Sequence, residues 1–214
     1  MKYEIIIFDL DGTLINSLED LKDSVNYMLY EFEYSKKTLF DVRNAVGNGV
    51  EKLVERMIPD GIENPNYEKC LKIFRDHYSK NMDKKTVAYP YIMEMLETLQ
   101  SKGYKIAVVS NKFDTAVKPL CKKYFDGLVN IAIGQSKDMK KKPEPDTVFL
   151  ALQHFQSTPE KAVFVGDSEV DIQTAQNANM DCISVSWGYR SKNFLTQNNA
   201  KIIIDKPLDI FEHI

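Results

Sequence analysis

Ile5, Ile6, Ile7 and Phe8 form an unbroken apolar run that stops abruptly at Asp9-Leu10-Asp11-Gly12-Thr13. A run of this kind predicts a buried strand that delivers its last residues to an open sheet edge. The pattern then changes period. Leu18, Leu21, Val25, Met28, Leu29 and Phe32 recur at helical spacing behind Ser17-Leu18-Glu19-Asp20, which has the hydroxyl and early acids of a helix start. Stretches 37–44, 50–58 and 67–82 keep the helical period, interrupted at Gly47-Asn48-Gly49 and between Pro59 and Pro65. Residues 15–83 therefore predict helices throughout and offer no strand.

Beyond them, helices and strands alternate. Helix is expected from 92 to Gly103, strand over 104–109, helix over 115–124 and strand over 128–133. Helix follows over 146–155, strand over 162–165, helix over 169–177, and strands over 182–187 and 201–204. Strands separated by helices imply right-handed crossovers and a parallel sheet covered on both faces. The predicted fold class is α/β, with a Rossmann-like parallel sheet core. The helical stretch between the first two strands is too long for a simple crossover. It is expected to form a small helical cap domain, residues 15–83, inserted into a core of residues 1–14 and 84–214 and able to open and close over it.

Composition narrows the partners. A chain of 214 residues can build one good core with a small satellite. Its net charge of −3 gives no general pull toward nucleic acid or an anionic membrane surface. No apolar run approaches the ~18 residues of a membrane helix, and Glu4 and Asp9 interrupt what would be the apolar part of a secretory signal. Cys70, Cys121 and Cys182 are odd in number and form no C-x-x-C, which argues against a disulfide framework or a zinc site and fits reduced thiols. The expectation is a cytoplasmic protein, monomer or homodimer, with no nucleic-acid or membrane partner.

In open parallel sheets, sites form beyond the carboxyl ends of the strands. The first such end supplies Asp9 and Asp11, which alternation places on one side with Leu10 turned away. Two adjacent carboxylates are costly unless a divalent metal, a shared proton or both lies between them. Gly12 allows a sharp turn, and Thr13 adds a hydroxyl and an amide. The second strand leads into Ser110 and Asn111. The loop after the third carries Lys142 ahead of Pro143-Glu144-Pro145, and the fourth ends in Gly166-Asp167, with Asp171 one helical turn beyond. Asp9, Asp11 and Asp167 make a hard, anionic oxygen pocket that suits Mg2+ rather than zinc. Ser110 and Lys142 suit a phosphate, and metal plus lysine around one phosphoryl group would neutralise the charge that develops in its transfer. Taken singly, each has a plainer explanation: a helix cap for Ser110-Asn111, a solvated lysine run for Lys142, a first-turn acid for Asp171. Their joint placement at strand ends carries the argument.

Asp9–Thr13 as D-x-D-G-T, Ser110-Asn111-Lys112, Lys142-Pro143 and Gly166-Asp167-Ser168-Glu169-Val170-Asp171 together resemble the motifs of the haloacid dehalogenase-like hydrolase superfamily, in its order and across nearly the whole chain. The resemblance implies a Mg2+-dependent phosphatase that forms a phosphoaspartate. By position, Asp9 would be the nucleophile and Asp11 the general acid, then the general base. Ser110 and Lys142 would hold phosphoryl oxygens. Mg2+ would be held by Asp9, the backbone carbonyl of Asp11 and Asp167, with Asp171 nearby or acting through water. The presence of Asp11 argues against the dehalogenase and phosphonatase branches, which lack that acid.

Residues 42–53, which contain Arg43 and Gly47-Asn48-Gly49, resemble the cap motif of the phosphoglycolate phosphatase subgroup, as do Tyr89-Pro90 and Ser110-Asn111-Lys112. One departure is Tyr91, where the subgroup commonly has glycine. This resemblance implies a small phosphate ester, 2-phosphoglycolate, as substrate, with Thr13, Asn111, Arg43, Gly47, Asn48 and Gly49 as the groups that bind it. Backbone amides at Gly47–Gly49, near a helix start, would seat a carboxylate, and Arg43 would clamp it. The alternatives are a pyrophosphatase or nucleotidase of the same superfamily and, further off, a phosphosugar mutase. A non-enzymatic receiver domain also gathers Asp, Lys and Mg2+, but its acceptor follows a later strand and no helical insert interrupts its start.

Overall fold

The structure is a computed structural model and describes residues 2–214. Its strands are β1 (Ile5–Phe8), β2 (Ile15–Asn16), β3 (Val87–Ala88), β4 (Lys105–Phe113), β5 (Ile131–Gln135), β6 (Ala162–Gly166), β7 (Asp181–Val185) and β8 (Ile202–Ile204). Its α-helices are α1 (Leu18–Glu31), α2 (Leu39–Ala45), α3 (Val50–Met57), α4 (Tyr67–Asn81), α5 (Ile92–Ser101), α6 (Asp114–Phe125), α7 (Asp146–His154), α8 (Glu169–Asn177) and α9 (Lys192–Gln197). The chain divides into two compact units. One runs up to Ile15 and resumes over Ala88–Ile214; the other is Asn16–Val87.

The first unit is built on a six-stranded sheet in the order β5-β4-β1-β6-β7-β8, and every pairing in it is parallel. β1 lies in the interior of this sheet, and all four of its residues are buried, as expected of a strand covered on both faces. Ile5 and Ile7 of β1 pack with Val148 and Leu152 of α7 and Ala175 of α8 on one face; alternation turns Ile6 and Phe8 to the other. Among the sheet's own strands, sequence order runs outward from β1 to β4 and β5, then crosses to β6, β7 and β8. The point where that order reverses lies between β1 and β6, and the crevice at their carboxyl ends is where ligands bind in such sheets.

The second unit is helical apart from single residues of β2 and β3, as the period of its apolar residues predicts. Val25, Met28 and Leu29 of α1, Val42 of α2, Leu53 and Val54 of α3, and Phe74 and Tyr78 of α4 are buried. Asp20 is buried as well. It accepts hydrogen bonds from the backbone N–H of Lys85 (3.0 Å) and of Thr86 (2.9 Å) and from the Thr86 hydroxyl (2.8 Å), which satisfies a carboxylate that burial would otherwise penalise. No helix among the described residues is long and apolar enough to cross a membrane.

Several boundaries differ from the periodicity. β4 does not stop at residue 109 but continues through Ser110, Asn111 and Lys112 to Phe113, with a register irregularity against β5. The apolar run ends at these residues because they are polar, yet all three are buried; their partners are other polar groups, so no apolar signal marks them. β5 starts later than expected because residues 126–130 form a turn, with the Leu128 and Val129 amides bonded back to Phe125 O. β2, β3 and α9 are too short to carry a period. Ser17 makes no side-chain cap on α1; the Leu18 amide donates instead to Asn16 Oδ1 at 3.2 Å. The cap on α2 is Thr38, in a reciprocal box with Asp41.

Truncating Ile6, which is fully buried in the central strand, should cost about 2–5 kcal/mol as Ile6→Ala. Ile62→Ala, at a position 61% exposed, should stay within about 0.5 kcal/mol of the parent. Urea denaturation of the two variants checks the contrast.

Candidate active site

The β1–β6 ladder continues one residue past the strand, because the Asp9 amide donates to Val165 O at 2.9 Å. The chain then closes a tight loop, with Leu14 N and Ile15 N both 3.0 Å from Leu10 O and Gly12 N 2.8 Å from Ile15 O. Gly12 has φ +95°, and a Cβ there would lie 2.4 Å from Asp167 Oδ2. Both the backbone conformation and the close approach demand glycine. Gly166 and Gly188 do the same service: a Cβ on Gly166 would lie 2.3 Å from Asp171 Cβ, and one on Gly188 would lie 2.3 Å from Asp167 Cβ.

The space so cleared holds a carboxylate cluster. One oxygen from each of Asp9, Asp167 and Asp171 lies within 4.8 Å of the others, and all three residues are buried. Lys142 Nζ bridges two of them, 2.6 Å from Asp9 Oδ1 and 2.7 Å from Asp171 Oδ1, with only 3% of its side chain exposed. Asp171 Oδ2 accepts from the Ser168 amide (3.1 Å) and hydroxyl (2.6 Å) at the start of α8, so Asp171 serves the helix end and the lysine at once. Asp167 Oδ2 accepts from the Tyr189 amide at 2.6 Å, and its Oδ1 faces the Thr13 hydroxyl at 3.5 Å.

Burial sets the protonation behaviour. It drives the Asp9 carboxyl up to about 7, against the pull of Lys142 in the other direction. Asp167 is pushed well above the usual carboxylate range by burial and by the charges of Asp171 and Asp9. For Lys142, burial favours the neutral amine, but the Asp171 and Asp9 carboxylates outweigh it and hold the ammonium form. Were all three carboxylates ionised together, the single ammonium of Lys142 would leave two negative charges uncompensated. Hard oxygen donors, closely spaced and short by two positive charges, fit a divalent cation such as Mg2+. Asp9 and Asp167 would hold it, since their oxygens are less engaged than those of Asp171.

The other residues singled out from the sequence have distinct placements. Ser110 is buried, and its hydroxyl accepts from the Lys112 amide at 3.2 Å. Asn111 clamps the backbone of Lys142, with its Oδ1 2.7 Å from Lys142 N and its Nδ2 2.9 Å from Lys142 O. Asn111 thus positions the lysine through both ends of its side-chain amide. Thr13 is fully buried, its carbonyl taken by Trp187 Nε1 at 3.0 Å and its hydroxyl aimed at Asp167, so it too braces the cluster. Asp11 stands outside the group of three and pairs with Lys112 Nζ, 2.9 and 3.0 Å from its two oxygens. Lys112, Tyr189 and Gly188 were not read as site residues. The rule that sites gather beyond strand ends, applied to Trp187-Gly188-Tyr189 after β7, would have found two of them.

Arg43, Gly47, Asn48 and Gly49 lie in the helical unit. Gly47 and Gly49 have φ +135° and +84°, and Gly49 is the N-cap of α3. Arg56 braces this turn through Ala45 O (2.7 Å) and Asn48 Oδ1 (2.8 Å). All three cysteines are free thiols, and burial pushes Cys121 up to about 12, which makes it unreactive.

The sequence pattern that defines the haloacid dehalogenase-like hydrolases matches residues 6–185. The chain belongs to that family. The haloacid dehalogenase-like relatives it resembles include the phosphoglycolate phosphatases of Psychrobacter arcticus, 35% identical over 96% of this chain and 93% of that protein, and of Aquifex aeolicus, 36% identical over 88% and 87%. A solved structure from Lactobacillus delbrueckii subsp. bulgaricus superposes with a TM-score of 0.94 at 33% identity, covering 99% of this chain and 98% of that one. Membership and these relatives make the protein a phosphoric monoester hydrolase of the haloacid dehalogenase-like type.

Removing the bridging ammonium as Lys142→Met strands buried carboxylates and should cost about 3–5 kcal/mol. Gly12→Ala should destabilise by more than about 1 kcal/mol and blunt any rise in Tm produced by Mg2+, because the new methyl displaces Asp167. Thermal melts with and without Mg2+ read both.

Proposed function

We propose that the protein hydrolyses a small phosphomonoester, 2-phosphoglycolate, through a phosphoaspartate on Asp9 and with Mg2+ as cofactor. The observation that carries this reading is the buried Asp9–Lys142 pair at 2.6 Å, set beside Asp167 and Asp171 at the β1/β6 switch point. A carboxylate there is shielded from water, held by an ammonium and pinned through its own backbone, as a nucleophile must be.

In the first step an Asp9 oxygen attacks phosphorus, the ester P–O bond breaks and Asp11 gives its proton to the departing alkoxide. In the second, water attacks the phosphorus of the acyl phosphate, Asp11 takes the water's proton, and the P–O bond to Asp9 breaks to release phosphate and restore the carboxylate. Lys142 has a third N–H beyond those given to Asp9 and Asp171, and it serves the phosphoryl oxygens together with the Ser110 hydroxyl. Asn111 keeps the lysine in place through its backbone. A bound divalent cation would supply the positive charge that lets Asp9 and Asp167 ionise together beside the phosphoryl group. In the helical unit, Arg43 and the amides of Gly47, Asn48 and Gly49 are the groups to select a carboxylated substrate. The activity of the phosphoglycolate phosphatases to which the chain is similar supports the choice of substrate.

Phosphate release from 2-phosphoglycolate, pyrophosphate, nucleotides, sugar phosphates and p-nitrophenyl phosphate should rank 2-phosphoglycolate first by kcat/KM. A clear preference for pyrophosphate or a nucleotide would replace the substrate while leaving the chemistry. Asp9→Asn should abolish turnover with the fold intact by circular dichroism, and EDTA should silence the enzyme until Mg2+ is restored. Arg43→Ala should lower kcat/KM for 2-phosphoglycolate by about tenfold or more and spare p-nitrophenyl phosphate.

A further inference from the structure

Lys112 is buried, with 4% of its side chain exposed, and its ammonium meets both oxygens of Asp11 at 2.9 and 3.0 Å. It reaches that position because β4 runs on past the apolar part of the strand, with an irregularity in its register against β5 between Val109 and Phe113. The Lys112 amide is itself held by Ser110 Oγ at 3.2 Å. Asp11 is two residues from Asp9 on the same strand end, yet it is not in the cluster of Asp9, Asp167 and Asp171. A carboxylate so near a site that is short of positive charge is a ready fourth ligand for any cation bound there. A carboxylate turned onto the cation is not free to face a leaving group, and the cation's charge disfavours the protonated form that an acid needs.

We propose that Lys112 is a positioning residue that holds the Asp11 carboxylate out of the cation-binding cluster. The ion pair fixes where Asp11 points and keeps its side chain from joining Asp9 and Asp167 as a ligand. The proposal rests on the phosphoaspartate reading, in which Asp11 is the acid and base. Its geometric basis is the Lys112–Asp11 pair and the exclusion of Asp11 from the group of three.

The test is a double-mutant cycle of Lys112→Met and Asp11→Asn, read first by the Mg2+ dissociation constant from isothermal titration calorimetry. That measurement needs no turnover. Lys112→Met should bind Mg2+ about tenfold more tightly, as a released Asp11 joins the site, and this tightening should disappear in the Asp11→Asn background. In the Asp11-containing enzyme the same substitution should lower kcat about 100-fold with little change in KM, and Lys112→Arg should keep most of the rate. An equal fold-change in Mg2+ affinity in both backgrounds would mean that the lysine acts only as a distant charge, and it would overturn the proposal. So would a loss confined to KM for 2-phosphoglycolate, with p-nitrophenyl phosphate untouched, since Lys112 would then be a substrate ligand. Activity persisting in Asp9→Asn would defeat the phosphoaspartate reading separately, while the Mg2+ cycle would still report on Lys112.

Discussion

The ammonium of Lys142, bridging Asp9 and Asp171, is the interaction on which the site depends. Three carboxylates share a space from which water is largely excluded, and each would be expensive to ionise alone. One buried lysine makes the arrangement tolerable without neutralising it. The surroundings of that lysine are correspondingly fixed. Asn111 holds its backbone at both the amide and the carbonyl, and its Nζ lies 5.3 Å from the centre of the Phe164 ring, a favourable seat for a cation. Three glycines keep side chains out of the volume that the acids need. The excess of negative charge left over is what a divalent cation would answer.

The extension of β4 beyond its apolar segment concentrates this support in three successive residues. Ser110 holds the Lys112 amide, Asn111 clamps the chain at Lys142, and Lys112 pairs with Asp11. A strand whose end is buried among polar groups can aim adjacent side chains at different partners, because its backbone is fixed by the neighbouring strands. β1 uses the same device. Its ladder with β6 carries on through Asp9, so the proposed nucleophile is held by the sheet itself. In the helical unit, two positive-φ glycines flank Asn48 ahead of α3, and Arg56 braces the turn.

The unbroken run Ile5–Phe8, the repeated apolar segments after it and the helical period of residues between them determined the parallel sheet, because burial on both faces and burial on one stripe leave different periodicities. The same reading pointed to Asp9, Lys142, Asp167 and Asp171, which the fold gathers, because strand ends in such sheets converge on one edge wherever they fall in the chain. What the sequence could not supply was partnership across long separations. Asn111 and Lys142 are 31 positions apart, Lys112 and Asp11 are 101 apart, and Thr13 and Asp167 are 154 apart. Composition does not say which polar group will find which. Only the packed fold decided that Asn111 positions a lysine, that Asp11 stands aside from its neighbouring acids, and that Gly12, Gly166 and Gly188 are glycines because carboxylates occupy the space beside them.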